Sequence, residues 1–211
     1  MKLPAIRACI GDWVYYVATM TFKDVAENVK KVDNELHKSE LLKELLQRSI
    51  TSNYKNIAQY IQSQQERFFK LAEAFEKDFS ASEDIRFFSA PGRTEVGGNH
   101  TDHNNGKVLA AAVNLDAIAA VSKRDDGIIC VNSAGYSPIT VDSADLEIKD
   151  NEAGKSDALI RGVCAGFKNR GYEIGGFDAA TMTQVLSGSG LSSSAAFEVL
   201  VGTIINYMYN D

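Results

Sequence analysis

Between an apolar, strand-like run, Phe177–Val185, and a longer apolar run of helical character, Ala195–Tyr209, stands a loop of small residues: Ser187-Gly188-Ser189-Gly190-Leu191-Ser192-Ser193-Ser194. A strand–loop–helix unit of this kind points to an α+β or mixed α/β domain. The helix is apolar almost all round its circumference, so it must be buried. Glycine and serine leave backbone N–H groups uncovered, and the positive end of the following helix opens into the same space. Together they suit an anion such as a phosphate. Serine hydroxyls add donors and can ligate Mg²⁺, a hard cation that takes oxygen. No Gly-Lys-Ser/Thr follows, so this is not a Walker loop. The same residues also suit a plain helix-capping loop.

A second dense segment runs Ala90-Pro91-Gly92-Arg93-Thr94-Glu95-Val96-Gly97-Gly98-Asn99-His100-Thr101-Asp102-His103-Asn104-Asn105-Gly106. It reads as a loop from Pro91 to Gly106, after a short strand at Ile85–Ala90. Carboxylates and amides exchange hydrogen bonds with sugar hydroxyls, and Asp102 and Asn99 are of those types. Arg93 has the charge to stabilise a transferring phosphoryl group. The His100/His103 pair has a metal-like spacing, but no third ligand is evident. Asp102 and Asn104 also serve as ordinary turn residues.

The flanking sequence fills in the domain. Val108–Val121 is apolar and Ala-rich, interrupted by Asn114 and Asp116. Arg124–Gly127 is a turn signal and Ile128–Val131 is rich in β-formers. Lys155–Asn169 has helical spacing through Ala158, Leu159, Val163 and Phe167. Ahead of all this, Thr21–Phe79 holds no glycine and no proline, although the chain has 16 and 3 of them. Its apolar residues fall at helical spacing in two sets, around Phe22–Leu46 and Ile57–Phe75, so two or three amphipathic helices are expected. Residues 1–82 thus read as a helical N-terminal extension and residues 83–211 as the α+β domain.

Several classes are excluded. With 45% hydrophobic and 24% charged residues the chain is that of a folded protein. A net charge of −6 argues against nucleic acid as a partner. No run is long and apolar enough to span a membrane. Met1–Met20 carries Asp12 in its middle and no cleavage site follows, so no secretory signal is expected. Cys9, Cys130 and Cys164 are odd in number and far apart, as in inert thiols of a reducing cytoplasm.

The two dense segments together resemble one family. Pro91-Gly92-Arg93, then Gly97-Gly98-Asn99-His100-Thr101-Asp102-His103-Asn104-Asn105-Gly106-Lys107-Val108-Leu109, resembles the galactokinase signature with its G-E-H-T-D-Y-N core. Gly188-Ser189-Gly190-Leu191-Ser192-Ser193-Ser194-Ala195 resembles the second motif of the GHMP kinases, in its galactokinase form. The resemblance covers about residues 85–209.

It implies the N-terminal domain of a GHMP kinase, a mixed sheet packed on helices, with the C-terminal domain absent from this chain. It implies transfer of the ATP γ-phosphoryl group to the anomeric hydroxyl of galactose, with Mg²⁺ as cofactor. By the same resemblance, Asp102 and Thr101 would lie against the sugar, His100 would buttress them, and Asn99 would reach an outer hydroxyl. Arg93 would stabilise the transition state. Gly188, Ser189, Gly190, Leu191, Ser192, Ser193 and Ser194 would cradle the ATP phosphates, with Ser194 on Mg²⁺. Ser133 would contact the nucleotide. The family's catalytic base lies beyond Asp211, so the chain reads as a fragment that lacks it.

There are departures. Asn99 replaces the usual Glu, His103 a Tyr and Ala110 a Pro. The change at Asn99 keeps open a kinase for N-acetylgalactosamine or another hexose, and a naturally short chain would favour a non-catalytic sensor of sugar and nucleotide.

Overall fold

A computed structural model describes residues 6–10, 13–17, 20–21, 57–79, 85–98 and 107–210. Eight strands are present among them. The first two, β1 (Ile6–Ile10) and β2 (Trp13–Val17), pair with each other as an antiparallel ribbon. The other six form one mixed sheet: β3 (Met20–Thr21), β4 (Arg86–Gly97), β5 (Leu109–Arg124), β6 (Ile128–Ser133), β7 (Ile139–Asp142) and β8 (Gly176–Thr183), in the spatial order β3-β4-β5-β8-β6-β7. Three α-helices, α1 (Ile57–Phe79), α2 (Ser156–Asn169) and α3 (Ser193–Tyr209), and a short 3-10 helix at Asp150–Glu152 complete the description.

Strands β4, β5 and β8 are covered on both faces, and strand alternation sorts the side chains between them. On one face Phe88, Ala90, Ala117, Ala119, Val121, Phe177 and Ala179 pack with Ile160 and Cys164 of α2 and with Val199, Leu200, Val201, Ile204 and Ile205 of α3. On the other face Phe87, Ile118, Ala120 and Ala180 meet Leu71, Ala72 and Phe75 of α1. A strand buried on both faces cannot alternate apolar with polar, which explains the unbroken apolar run Ala117–Val121. The helix that the sequence requires to be buried is buried: Val199 through Ile205 are all inaccessible.

The expected helical extension takes a different form. Ile6–Ile10, Trp13–Val17 and Met20–Thr21 are strands, as the aromatic and β-branched run Trp13-Val14-Tyr15-Tyr16-Val17 favours. β3 joins the main sheet at the edge of β4. Of the expected helices, α1 is present, and its apolar stripe shares a core with the sheet. The segment of residues 22–56 lies outside the described residues.

The second difference concerns Pro91–Gly97, expected in a loop but found as the continuation of β4. Proline lacks a ladder donor, and a strand tolerates it at a bulge. The register of β4 on β5 shifts between Pro91 and Arg93 and again between Glu95 and Gly97. β7 alternates buried and exposed residues, but at four residues it is too short to stand out from its sequence.

Two polar clusters fasten the periphery. Arg161 of α2 is buried and grips both carboxylate oxygens of Glu152 at 2.9 Å, while its third donor reaches the Asp145 carbonyl. This ties the connection after β7 to α2. At the end of α3, the Tyr209 hydroxyl donates to the Gly176 carbonyl at 2.5 Å and lies 3.3 Å from that of Arg124. Burial pushes this phenol up to about 12. The Lys123 ammonium stands 4.3 Å from the Tyr209 ring centre. None of the described helices is long and apolar enough to cross a membrane.

Two outcomes follow from this packing. Phe88→Ala removes a fully buried ring that meets Tyr207 edge-on, and should lower unfolding free energy by about 3–5 kcal/mol in urea titration. The Cys164 thiol is raised to about 11 by burial, above its ordinary value, so its proton is held well past neutrality. Iodoacetamide at pH 8 should spare Cys164 in the native protein and label it in guanidinium.

Candidate functional site

β4, β8 and β6 run in the same direction, because β5 lies antiparallel between β4 and β8 and β6 pairs parallel to β8. Their C-terminal ends therefore open at one rim of the sheet. The segments expected to carry chemistry emerge there: the segment after Gly98 from β4, Ser133 from β6, and the serine loop from β8.

The serine loop is anchored at both ends. At its start the Gln184 N–H donates to the Asp116 carbonyl of β5 at 2.9 Å. At its close the Arg93 N–H donates to the Leu191 carbonyl at 3.1 Å. The loop thus bridges β5 and β4 where their register shifts. Gly92 makes the approach possible: a Cβ there would stand 3.0 Å from a Val185 methyl carbon and 3.3 Å from the Leu191 oxygen. Within the loop, Ser189 folds back so that its N–H and hydroxyl both donate to the Leu186 carbonyl, at 3.2 and 2.6 Å. Residues Leu186–Gly190 are exposed.

Ser192 precedes α3 with φ 57° and makes no side-chain cap. Among the described residues it alone, glycine aside, has positive φ. Such a backbone costs energy and concentrates at ligand sites. Here it turns the chain sharply into α3, whose first N–H groups, at Ser193, Ser194 and Ala195, precede any helical carbonyl partner. The hydroxyl of Ser194 is on an exposed residue at this positive end.

Arg93 brings its guanidinium 3.9 Å from the Glu95 carboxylate, two residues on and on the same face of β4. Ser133 ends β6, and its hydroxyl shares a hydrogen bond with that of Thr181 on β8. So Arg93 and Gly188–Ser194 are joined directly, through backbone, and Ser133 lies at the same rim. Asn99, His100, Thr101 and Asp102, with His103, lie outside the described residues. The ends of their segment are close together, since a Cβ on Gly98 would stand 2.7 Å from the Lys107 carbonyl oxygen.

Sequence reasoning treated Asp116 only as an interruption of an apolar run. An acid inside a strand otherwise built of Ala, Val, Ile and Leu was the available signal. Thr181 had none, because it reads as one more small residue of β8.

The fold is that of the GHMP kinases. The described domain superposes on a mevalonate kinase of Methanococcus jannaschii with a TM-score of 0.50 at 14% identity, over 62% of this chain and 42% of that one. Within that class the resemblance is to galactokinases. Residues 73–123 match the galactokinase galactose-binding signature. The galactokinase of Streptomyces coelicolor is 40% identical over 125 residues, 58% of this chain and 32% of that protein. The Clostridium beijerinckii galactokinase is 38% identical over 142 residues, 66% of this chain and 36% of that protein. The Lactococcus lactis galactokinase, solved with galactose, superposes with a TM-score of 0.62 at 30% identity, over 69% of this chain and 38% of that one. The chain spans about a third of the length of the curated relatives it matches.

Gly92→Ala tests the docking of the loop. The added methyl group meets a side chain and a carbonyl already in contact, so the expected cost is about 1–3 kcal/mol. The melting temperature should fall and the Arg93 amide should exchange faster with solvent. An unchanged Arg93 amide would show that the close approach does not hold the loop.

Proposed function

We propose that this chain carries the substrate-binding part of a sugar 1-kinase of galactokinase type. The observation that supports this most is the backbone bond between Arg93 and Leu191, which seats the serine loop, read as an anion site, beside a cation that lies within the galactose-binding signature.

In this reading the sugar lies against Asn99, His100, Thr101 and Asp102, and the ATP triphosphate lies on Gly188–Ser194. The N–H groups at the start of α3 and the α3 dipole face the phosphates. Ser133, at the end of β6, contacts the nucleotide. The anomeric hydroxyl gives its proton to a base of the whole protein that is not among these residues, and its oxygen bonds to the γ-phosphorus while the bond from that phosphorus to the β–γ bridging oxygen breaks and ADP departs. Arg93 stabilises the charge on the transferring group. Glu95 keeps the guanidinium in place on its strand.

The residues present fit Mg²⁺ carried in by the nucleotide. Among the described residues no three His, Cys, Asp or Glu side chains gather into a metal cage. Mg²⁺ in phosphate sites keeps several waters and needs one or two protein ligands. Ser194 is the hydroxyl that would supply one. Bound there, Mg²⁺ would neutralise phosphate charge. The free thiols of Cys130 and Cys164 suit a cytoplasmic setting.

Calorimetric titration of the chain with Mg-ATP and with galactose is the direct test. Ser194→Ala should weaken Mg-ATP by about tenfold, the worth of one charge-assisted contact, and leave galactose unchanged. Asp102→Ala should abolish galactose binding and leave Mg-ATP unchanged. A panel of galactose, N-acetylgalactosamine and glucose reads the consequence of Asn99. Wild-type sugar affinity in the Asp102 variant would sink the sugar assignment.

A further inference from the structure

We infer that Asp116 is a positioning residue for the serine loop, and that α1 sets it through a latch running Arg67–Asp116–Ser89. The inference rests on the reading of that loop as the phosphate site.

Asp116 sits where β4 and β5 part. It is the register partner of Pro91, and the next pair is Arg93 with Ala112, so Val113, Asn114 and Leu115 face Gly92 alone. The chain leaving β8 enters this opening. Its Gln184 N–H bonds to the Asp116 carbonyl at the entrance, and Arg93 bonds to Leu191 at the exit. The Asp116 peptide is thus the fixed point from which the loop starts.

Its carboxylate is held from two other elements. Arg67 of α1 donates to Oδ1 at 2.8 Å, and the Ser89 hydroxyl of β4 donates to Oδ2 at 2.7 Å. Arg67 also donates to Gln64 Oε1 at 2.6 Å, one turn back along α1. The Arg67 and Asp116 side chains are 17% and 23% exposed, so solvent screens the pair less than a surface ion pair. The next five residues, Ala117–Val121, are all buried and apolar. A charged residue at the head of such a run serves the opening, since the core has no use for it. The latch also accounts for α1: it carries none of the expected site residues, yet it sets the side chain of the residue that receives the loop.

The experiment is hydrogen exchange on the whole chain, read peptide by peptide, for wild type, Asp116→Asn and Arg67→Met. Asp116→Asn keeps the shape but removes the charge and one acceptor oxygen. Arg67→Met acts from α1 without altering any sheet residue. Both should speed exchange across residues 184–192 about tenfold, with α3 and the β5–β8 ladder still protected as in wild type. The Kd for Mg-ATP should rise by a similar factor. The double variant should show no more than the larger single effect, and Arg67→Lys should recover most of the protection.

Unchanged loop exchange, an even loss of protection across the sheet, or additive effects in the double variant would overturn the latch. Failure of wild type to bind Mg-ATP would instead overturn the phosphate reading, and loop exchange would then decide the latch by itself.

Discussion

The arrangement at the rim depends on one backbone hydrogen bond, from the Arg93 N–H to the Leu191 carbonyl. Two segments almost a hundred residues apart in sequence meet there, and the absence of a side chain at Gly92 lets them approach without crowding Val185 and the Leu191 carbonyl. The bond sets the strand that carries the cation against the loop that carries the free N–H groups. In the proposed reading, the sugar and phosphate segments of this part of the molecule would be positioned relative to it. Positioning and charge stabilisation are the larger part of phosphoryl-transfer catalysis, and a backbone anchor of this kind would serve the first of them.

That anchor is stiff because β4, β5 and β8 beneath it are buried on both faces. α1 covers one face, α2 and α3 the other, and the central strands carry small apolar residues that let the layers close. The opposite rim is also tied down: Tyr209 bonds to the backbone of Gly176, and Arg124 bridges Asp126 at 2.5 Å and Asp178 at 2.9 Å. Hydrogen bonding to Arg124 holds the Asp126 carboxyl down to about 2. The polar clusters at the periphery hold connections, while the irregular backbone is gathered at the other rim. The left-handed Ser192 and the two shifts of register in β4 all lie there.

Particular residues show how far the sequence could be read. The helix Ala195–Tyr209 was legible because a run apolar on every side has no stable place except a core. The small-residue loop before it was legible as the link between a strand and a helix, because glycine and serine punctuate such runs; its service as an anion site belongs to the proposed function. Pro91–Gly97 was misread, since proline and glycine ordinarily end strands, and only the bulges that accommodate them keep β4 going. The strands before residue 21 were passed over because each is short, and strand pairing depends on partners distant in the chain. Asp116 was seen only as a flaw in an apolar pattern, and its partners on α1 and β4 come from 49 and 27 residues away.

The local pattern was determined by the sequence alone: a glycine- and serine-rich loop ahead of a buried helix, an arginine in a polar segment, and an apolar, alanine-rich run. These follow from residue type and short-range spacing, which do not depend on what lies across the domain. The tertiary structure decided which of these segments share a rim. It let β4 continue through its proline, opened the register at Gly92, and brought the loop after β8 into that opening. Such pairings depend on long-range register and on the room left by a missing Cβ, and neither is written in any local stretch of the chain.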